Sequence, residues 1–329
     1  MTGPQVSVII PAHNTKATIR DTLRSVRCQT FRDLELIIIN DGSTDDLLDH
    51  LAPILAEEPR LRVVTQANAG LAGARNRGLA ESTAPLVAFI DADDLWHPEF
   101  LAALTAALND NPDAPFAYAF SLRVDADNSI IPAPKWTYQP RHDFAGLLAL
   151  NSVGCGSAAL FRRTALLGAG GFDVAPQARG LQGAEDWKLC LQLAHAQAPE
   201  LVPRYLVGYR VSTDSMSQSD PARQLAAIHA VMADIRSKYP RTPRRHFANA
   251  RTLMNGWLLT AFLRKRRYRT VARLLAESYL LNPLWFLSRD LRTIHVQKIL
   301  SLLWDRQARL PLADYQEDGQ RPFSFLTDV

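Results

Sequence analysis

Four short apolar runs, evenly spaced through the first ninety residues, constrain this chain more than any other feature. They are Val6-Ser7-Val8-Ile9-Ile10, Leu34-Glu35-Leu36-Ile37-Ile38-Ile39, Leu61-Arg62-Val63-Val64-Thr65 and Leu86-Val87-Ala88-Phe89-Ile90. Rich in Val and Ile and nearly uninterrupted by polar residues, they suit parallel strands covered on both faces. The segments between them carry helical periodicity. Ile19, Leu23 and Val26 share a face between Ala17 and Gln29, as do Leu47, Leu48, Leu51 and Leu55 between Asp45 and Glu57. Gly70 to Ser82 and Pro98 to Leu108 read as further helices. Strand alternating with helix predicts an α/β fold with a mostly parallel sheet flanked by helices. Ligands of such sheets bind beyond the carboxyl ends of the strands. Asn14, Asp41 and Asp91 fall at those ends.

Beyond residue 115 the pattern loosens. Phe116 to Val124 and Ser129-Ile130-Ile131 read as a hairpin around Asp125-Ala126-Asp127-Asn128, a plain turn rather than a metal loop because Asp and Asn favour turns. Gly156 to Arg162 reads as a strand, Thr164 to Leu167 as a short helix and Gly168 to Asp173 as a flexible loop. Ala184 to Ala196 reads as a helix and Tyr205 to Val211 as a strand. From about Asp220 only helix is expected. The expected organisation is one α/β unit over residues 1–219, its halves meeting near residue 115, followed by a basic helical region over 220–329.

The charge distribution sharpens that division. From Arg241 to Val329 there are 16 Lys and Arg against 7 Asp and Glu, whereas the first 240 residues hold 21 against 26. Cys28, Cys155 and Cys190 are far apart and odd in number, neither a disulfide framework nor a zinc pattern, and read as reduced thiols of a cytoplasmic protein. Met1-Thr2-Gly3-Pro4-Gln5 has no basic n-region, and no run reaches the ~18 apolar residues that span a bilayer. The cationic cluster Arg264-Lys265-Arg266-Arg267-Tyr268-Arg269 is joined to no recognisable nucleic-acid motif, so no nucleic-acid partner is expected. With the apolar Leu280 to Leu287 nearby, it suits a helical hairpin packed on the first unit or on a second subunit in a homodimer. The alternative is peripheral contact with an anionic membrane.

The candidate chemistry is acidic. Asp91-Ala92-Asp93-Asp94 ends the fourth apolar run. Carboxylates so close raise one another's pKa unless a cation sits among them, and hard oxygen ligands suit Mg²⁺ or Mn²⁺. The plainer explanation is that Asp93 and Asp94 cap the helix near His97-Pro98-Glu99. In Asn40-Asp41-Gly42-Ser43-Thr44-Asp45, Ser43 or Thr44 can cap a helix. That leaves Asp41 without a structural need, and a carboxylate there can accept the imide N–H of uracil or thymine. Asn68 to Gly78 is rich in Gly and Ala and permits close backbone approach. Its Arg75 is either a surface residue or a counter-charge for a diphosphate. Glu185-Asp186 before Trp187 either suits a helix N-terminus or offers a general base. The backbone cradles G-x-G-x-x-G and G-x-x-x-x-G-K-[ST] are missing.

In order, Val6 to Asn14 with Pro11-Ala12-His13-Asn14, Ile39 to Asp45, Asn68 to Leu71 with Ala74-Arg75-Asn76, Asp91 to Asp94 and Glu185-Asp186-Trp187 resemble the family 2 glycosyltransferases of GT-A fold, of bacterial surface-polysaccharide type. The resemblance covers roughly residues 5 to 215. It implies inverting transfer of a sugar from a nucleoside-diphosphate sugar, UDP- or dTDP-linked, to a hydroxyl of a glycan or lipid-linked acceptor. Residues to about 115 would then form the nucleotide-sugar half and about 116–219 the acceptor half, in the cytoplasm or at the inner face of the cell membrane. It further implies that Pro11, Ala12, Asn14 and Asn68 line the nucleotide pocket, that Asp41 binds the base, and that Arg75, Asp91 and Ala92 lie by the nucleotide. Asp93, with Asp91, would hold Mn²⁺ or Mg²⁺. Asp186 would be the base and Glu185 its support. Gly171 and Phe172, in the loop Gly170 to Asp173, and Trp187 would lie on the acceptor side. Two departures stand out. His13 replaces a frequent Tyr, and Tyr209-Arg210 is not followed by a His, leaving Asp214 or Ser217 as substitutes. A sugar nucleotidyltransferase would carry a Gly-rich basic loop after the first strand. A non-catalytic relative that binds a nucleotide or partner would not need intact Asp91, Asp93, Glu185 and Asp186.

Overall fold

A computed structural model describes residues 3–131, 142–178, 180–181, 183–211, 220–284, 287, 310–317 and 319–326. Its elements are β1 (Val6–Ala12), α1 (Ile19–Arg27), β2 (Leu34–Asp41), α2 (Leu47–Glu57), β3 (Leu61–Gln66), α3 (Gly70–Glu81), β4 (Leu86–Phe89), β5 (Leu95–Trp96), α4 (Phe100–Asp110), β6 (Phe116–Val124), β7 (Ser129–Ile130), α5 (Phe144–Ala149), β8 (Ala159–Arg162), α6 (Arg163–Ala169), α7 (Ala175–Ala178), α8 (Glu185–Ala196), β9 (Glu200–Arg210), α9 (Pro221–Lys238), α10 (Arg244–Arg264), α11 (Tyr268–Leu281) and β10 (Leu310–Pro311). The four apolar runs are β1 to β4, and every residue of β1 is buried, as expected of strands covered on both faces.

The sheet runs in the order β3-β2-β1-β4-β8-β6-β7-β10. β1 pairs in parallel with both β2 and β4, and β2 with β3. β8 is antiparallel to β4 and β6, while β9 runs parallel to β6 and antiparallel to β5. The chain winds outward from β1 to β3 and then returns to the other side of β1. At that reversal the loops leaving β1 and β4 diverge, and a crevice opens at their carboxyl ends. α3 lies close on β1 because Gly78 has no Cβ to strike Ile9.

Several expectations need correction. In α2 the buried residues are Leu47, Leu51 and Ile54, at i, i+4 and i+7, while Leu48 is 46% exposed. Neither Ser43 nor Thr44 caps α2, which starts after Asp46 without a side-chain cap. Their backbone N–H groups donate instead to Asn40 and Asn14 side chains. Gly156 to Ala158 form a 3-10 turn before β8. The Gly168 to Asp173 segment is pinned rather than flexible. The Asn76 amide donates to the Phe172 carbonyl and accepts from its N–H, each at 2.8 Å, and Phe172 is buried.

The C-terminal part is α-helical through α11, whereas the described residues of 310–326 form β10 and two short 3-10 turns, Leu312–Asp314 and Ser324–Leu326. β10 pairs antiparallel with β7, and Leu312, Phe323 and Phe325 form a small core with Leu95 and Val124. Pro311 and Pro322 each precede one of these turns, and neither turn extends into an α-helix.

Candidate active site

The turn after β4 gives its three carboxylates three environments. Asp94 is fully buried. Its Oδ2 accepts from the Ser157 hydroxyl at 2.5 Å and its Oδ1 from Arg210 N at 2.9 Å. Ser157 Oγ also accepts from Asp91 N at 3.0 Å, so one hydroxyl spans the turn. Burial and the neighbouring Asp93 and Asp91 push the Asp94 carboxyl well up. Asp94 therefore holds the turn together. Neither it nor Asp93 caps a helix, since α4 begins at Phe100 behind Glu99. Burial, reinforced by Asp91, raises the Asp93 carboxyl to about 6. Arg210 secures the turn from outside: Nε donates to Asp93 O at 2.8 Å, and Nη1 to the Asp125 and Ala126 carbonyls. The Asp125 turn is thus used through its backbone. Its side chain accepts from Asp127 N and Ser129 N, ordinary turn geometry.

Arg75 sits at the centre of the acidic end. It is 1% exposed, which excludes a surface role. Nη2 donates to Asp91 Oδ1 at 2.7 Å and Nη1 to Glu185 Oε1 at 3.2 Å. The guanidinium lies 5.3 Å from the Phe172 ring centroid. Gly156 makes room for it, since a Cβ there would stand 2.5 Å from Nη2. Burial opposes the charge, but Asp91, Glu185 and Asp186 more than restore it. Glu185 Oε2 accepts from Gly183 N and Ala184 N, which fixes the first turn of α8. Asp186 Oδ1 accepts from Trp187 N at 2.6 Å. Burial first, then the Glu185 charge, push the Asp186 carboxyl up to about 7. That value is poised for proton transfer near neutrality. Beside Asp186 is a cavity of about 10 Å³, lined in part by Cys155, Phe161, Phe172, Trp187 and Cys190, large enough for about one water. Phe172 and Trp187 are both 3% exposed, so they form the floor under Asp186 rather than an open face. The Trp187 indole N–H donates to Leu147 O on α5. At Gly171, φ is +74° and Asn76 is too close for a Cβ.

A second cluster gathers at the ends of β1 and β2. Asp41, buried, accepts through Oδ1 from Gln66 Nε2 at 2.7 Å and Ala69 N at 2.8 Å. It thus has the structural use that sequence alone did not suggest. Asn14 takes a left-handed φ of 55°, and its Oδ1 accepts from Thr44 N at 2.8 Å. His13 Nδ1 lies 2.8 Å from Asp41 O, with Asn68 Nδ2 3.3 Å from each ring nitrogen. Pro11 and Ala12 are buried at the end of β1, and Ala92 O accepts from Thr18 Oγ1 at 2.8 Å. Asp214 and Ser217 lie outside the described residues.

Sequence reasoning missed Ser157, Arg210 and Lys188. Lys188 Nζ donates to Asp173 at 2.5 Å and Asp234 at 2.6 Å, tying α8 to the Asp173 loop and to α9. Arg210 alone had a usable signal, a charged residue at the end of an apolar strand. Among the described residues no group of three or more His, Cys, Asp or Glu is arranged to hold a metal. A cation between Asp91 and Asp93 would take its other ligands from a substrate or water.

Residues 7–168 match the family model described as Glycosyl transferase family 2. The chain is similar to the uncharacterized glycosyltransferase YibD of Escherichia coli K12, with 46% identity over 111 residues, 33% of this chain and 32% of that protein. The match spans about a third of the length of the first curated relatives. Among solved structures, S. aureus TarS in complex with UDP-GlcNAc superposes with a TM-score of 0.56 at 16% identity, covering 96% of this chain and 95% of that one. The mannosyltransferase PcManGT of Pyrobaculum calidifontis, in complex with GDP-Man and Mn²⁺, gives 0.51 at 19% identity, covering 93% and 89%. At these identities the likeness is one of fold, and it extends over nearly the whole chain.

Proposed function

Since residues 7–168 match the family 2 glycosyltransferases and the fold is GT-A, we propose that this chain transfers a sugar from a nucleoside-diphosphate donor, UDP- or dTDP-linked, to a hydroxyl of a glycan or lipid-linked acceptor, with inversion at the anomeric carbon. One observation carries the reading. Buried Arg75 joins Asp91 at the strand end to Glu185 on α8, and the neighbouring Asp186 has a carboxyl raised to about 7.

Each residue then has a task. Asp41, fixed through one oxygen, accepts the imide N–H of the base, and Pro11, Ala12, Asn14 and Asn68 frame that pocket. Asp91 and Asp93 offer hard oxygen donors in a crowded acidic turn, a set that fits Mn²⁺ or Mg²⁺. When bound there, such a cation supplies Lewis-acid stabilisation of the diphosphate's charge. Arg75 holds Asp91 and Glu185 in place through its two hydrogen bonds. Asp186 takes the proton of the acceptor hydroxyl as it attacks. Gly171, Phe172 and Trp187 shape the ground on which the acceptor rests. No covalent intermediate is needed, so one carboxylate base is sufficient.

The test is a thermal-shift panel of UDP, dTDP, GDP, CDP and ADP, each with and without Mn²⁺. A ligand of the folded state at a hundred times its Kd stabilises by about 2.7 kcal/mol. A metal-dependent shift for UDP or dTDP supports the proposal. No shift with any diphosphate sinks it.

A further inference from the structure

α10 and α11 are consecutive basic helices with different surroundings. α10 buries Leu253, Met254, Leu258, Leu259 and Phe262. α11 buries only Leu274 and Ser278 of its 14 residues. Its outward face is not the polar face of an ordinary surface helix. Tyr268, Leu275 and Tyr279, at i, i+7 and i+11, form one stripe and are 63%, 37% and 56% exposed. Leu280 is 77% exposed, and Leu284 beyond the helix 65%. Exposed Arg269 and Arg273, one turn apart, flank the stripe, and exposed Lys265 and Arg266 precede it. Exposed Leu and Tyr beside a row of cations is the pattern of a helix lying in a membrane interface.

We propose that the outer face of α11 lies on an anionic bilayer surface. Tyr268, Leu275, Tyr279 and Leu280 enter the headgroup–acyl boundary, and Arg269 and Arg273 pair with lipid phosphates. Charge selects this occupant over a second copy of the chain. A two-fold contact through the stripe brings the two Arg rows together, whereas an anionic surface is complementary to them. Net charge from Arg241 onward is 16 against 7, while the preceding residues are net acidic, so such a surface attracts this part of the chain selectively. Among the described residues no helix is long and apolar enough to cross a membrane, so the contact lies in the plane of the surface. α10, which carries α11, packs on α5, and α5 accepts the Trp187 indole N–H next to Asp186. The membrane face is thus joined through α10 and α5 to Trp187, the neighbour of the proposed base.

The proposal goes beyond glycosyl transfer and is tested without it. The full chain is sedimented with phosphatidylcholine vesicles and with vesicles containing about 30% phosphatidylglycerol, at about 0.1 M salt. Binding is expected to the anionic vesicles and to weaken at least about tenfold on neutral ones. Arg269→Gln with Arg273→Gln should weaken it about thirtyfold. Leu275→Glu with Tyr279→Glu should abolish it while leaving the melting temperature unchanged, both side chains being exposed. Equal partition to neutral and anionic vesicles, or none to either, overturns the proposal. So does a dimer in vesicle-free solution that the Leu275→Glu, Tyr279→Glu variant dissolves.

Discussion

Replacing Arg75 with Met tests the centre of the site. Met keeps the apolar stem of the side chain, but it removes the guanidinium, which lies over Phe172 and alone bonds both Asp91 and Glu185 among the described residues. Two charge-assisted hydrogen bonds are lost, at 2.7 and 3.2 Å. Each is worth about 1.5–3 kcal/mol, and breaking a buried ion pair from one side costs about 3–5 kcal/mol. A loss of about 4 kcal/mol is expected at pH 8. The deficit must also depend on pH. Without the guanidinium, Asp186, already raised by burial and by Glu185, loses the neighbouring positive charge that holds it down, and its folded-state pKa rises further above the unfolded one. A carboxyl raised in this way binds its proton more tightly when folded, so stability falls as pH climbs from the unfolded to the folded pKa. The variant should therefore recover part of its deficit near pH 5. Urea unfolding of both proteins at about pH 5 and pH 8, with slopes compared to confirm equal exposure on unfolding, measures this directly. A deficit below about 1 kcal/mol at pH 8, or an equal deficit at both pH values, would show that Arg75 does not neutralise the cluster.

Asp186→Asn should keep the diphosphate thermal shift and lose transfer by about 10²–10⁴-fold. Because the carboxyl of the unmodified protein is raised to about 7, kcat/KM should drop about tenfold per pH unit below that value, and a flat profile from pH 6 to 8 would refute the base assignment. The same variant should raise the melting temperature more at pH 8 than at pH 5, since it removes a carboxylate that is costly to ionise in the fold. Gly156→Ala drives a methyl into the Arg75 guanidinium and should cost about 1–3 kcal/mol, whereas Gly168→Ala, with nothing within 4 Å, should cost none; chemical denaturation of the pair compares them. Lys188→Met leaves Asp173 and Asp234 without their shared cation. Both carboxylates reach solvent, so the stability loss should be only about 1–2 kcal/mol, and acceptor KM should rise with donor KM unchanged. Asp93→Asn should abolish the Mn²⁺ dependence of the diphosphate shift, as should a chelator added to the unmodified protein.

The elements nearest the crevice were the most legible, for a physical reason. β1, β2 and β4 are buried on both faces, so their sequences are continuous apolar runs and the polar residue that ends each run is conspicuous. What sequence did not reveal is pairing across distance. Asp41 looked unexplained because its partners, Gln66 and Ala69, are 25 and 28 residues away. Arg75 could still be read as a surface residue because its partner Glu185 is 110 residues distant. From the residues alone Asp93 and Asp94 looked equivalent, and only the family resemblance set Asp93 apart; Ser157 and Arg210 take Asp94 into the core. Leu48 fits a helical stripe as well as Leu47 does, and only the placement of α2 on the sheet decides between them.

The small core at the chain's far end bears on when the site can exist. β5, the strand leaving the acidic turn, is covered by a segment more than two hundred residues later in sequence: Leu312 and Phe323 pack with Leu95, and Phe323 lies edge-on to His97. Glu317 reaches both His97 and Arg204. During synthesis β1 to β4 can pair early, while Leu95 and Val124 stay uncovered until residue 325 has left the ribosome. A product halted near residue 219 would hold the Asp91 to Asp94 turn beside an exposed apolar strand, prone to aggregate. The segment from Leu310 to Leu326 thus shields the strand that leaves the acidic turn, while the turn itself is held by Ser157 and Arg210 from earlier in the chain.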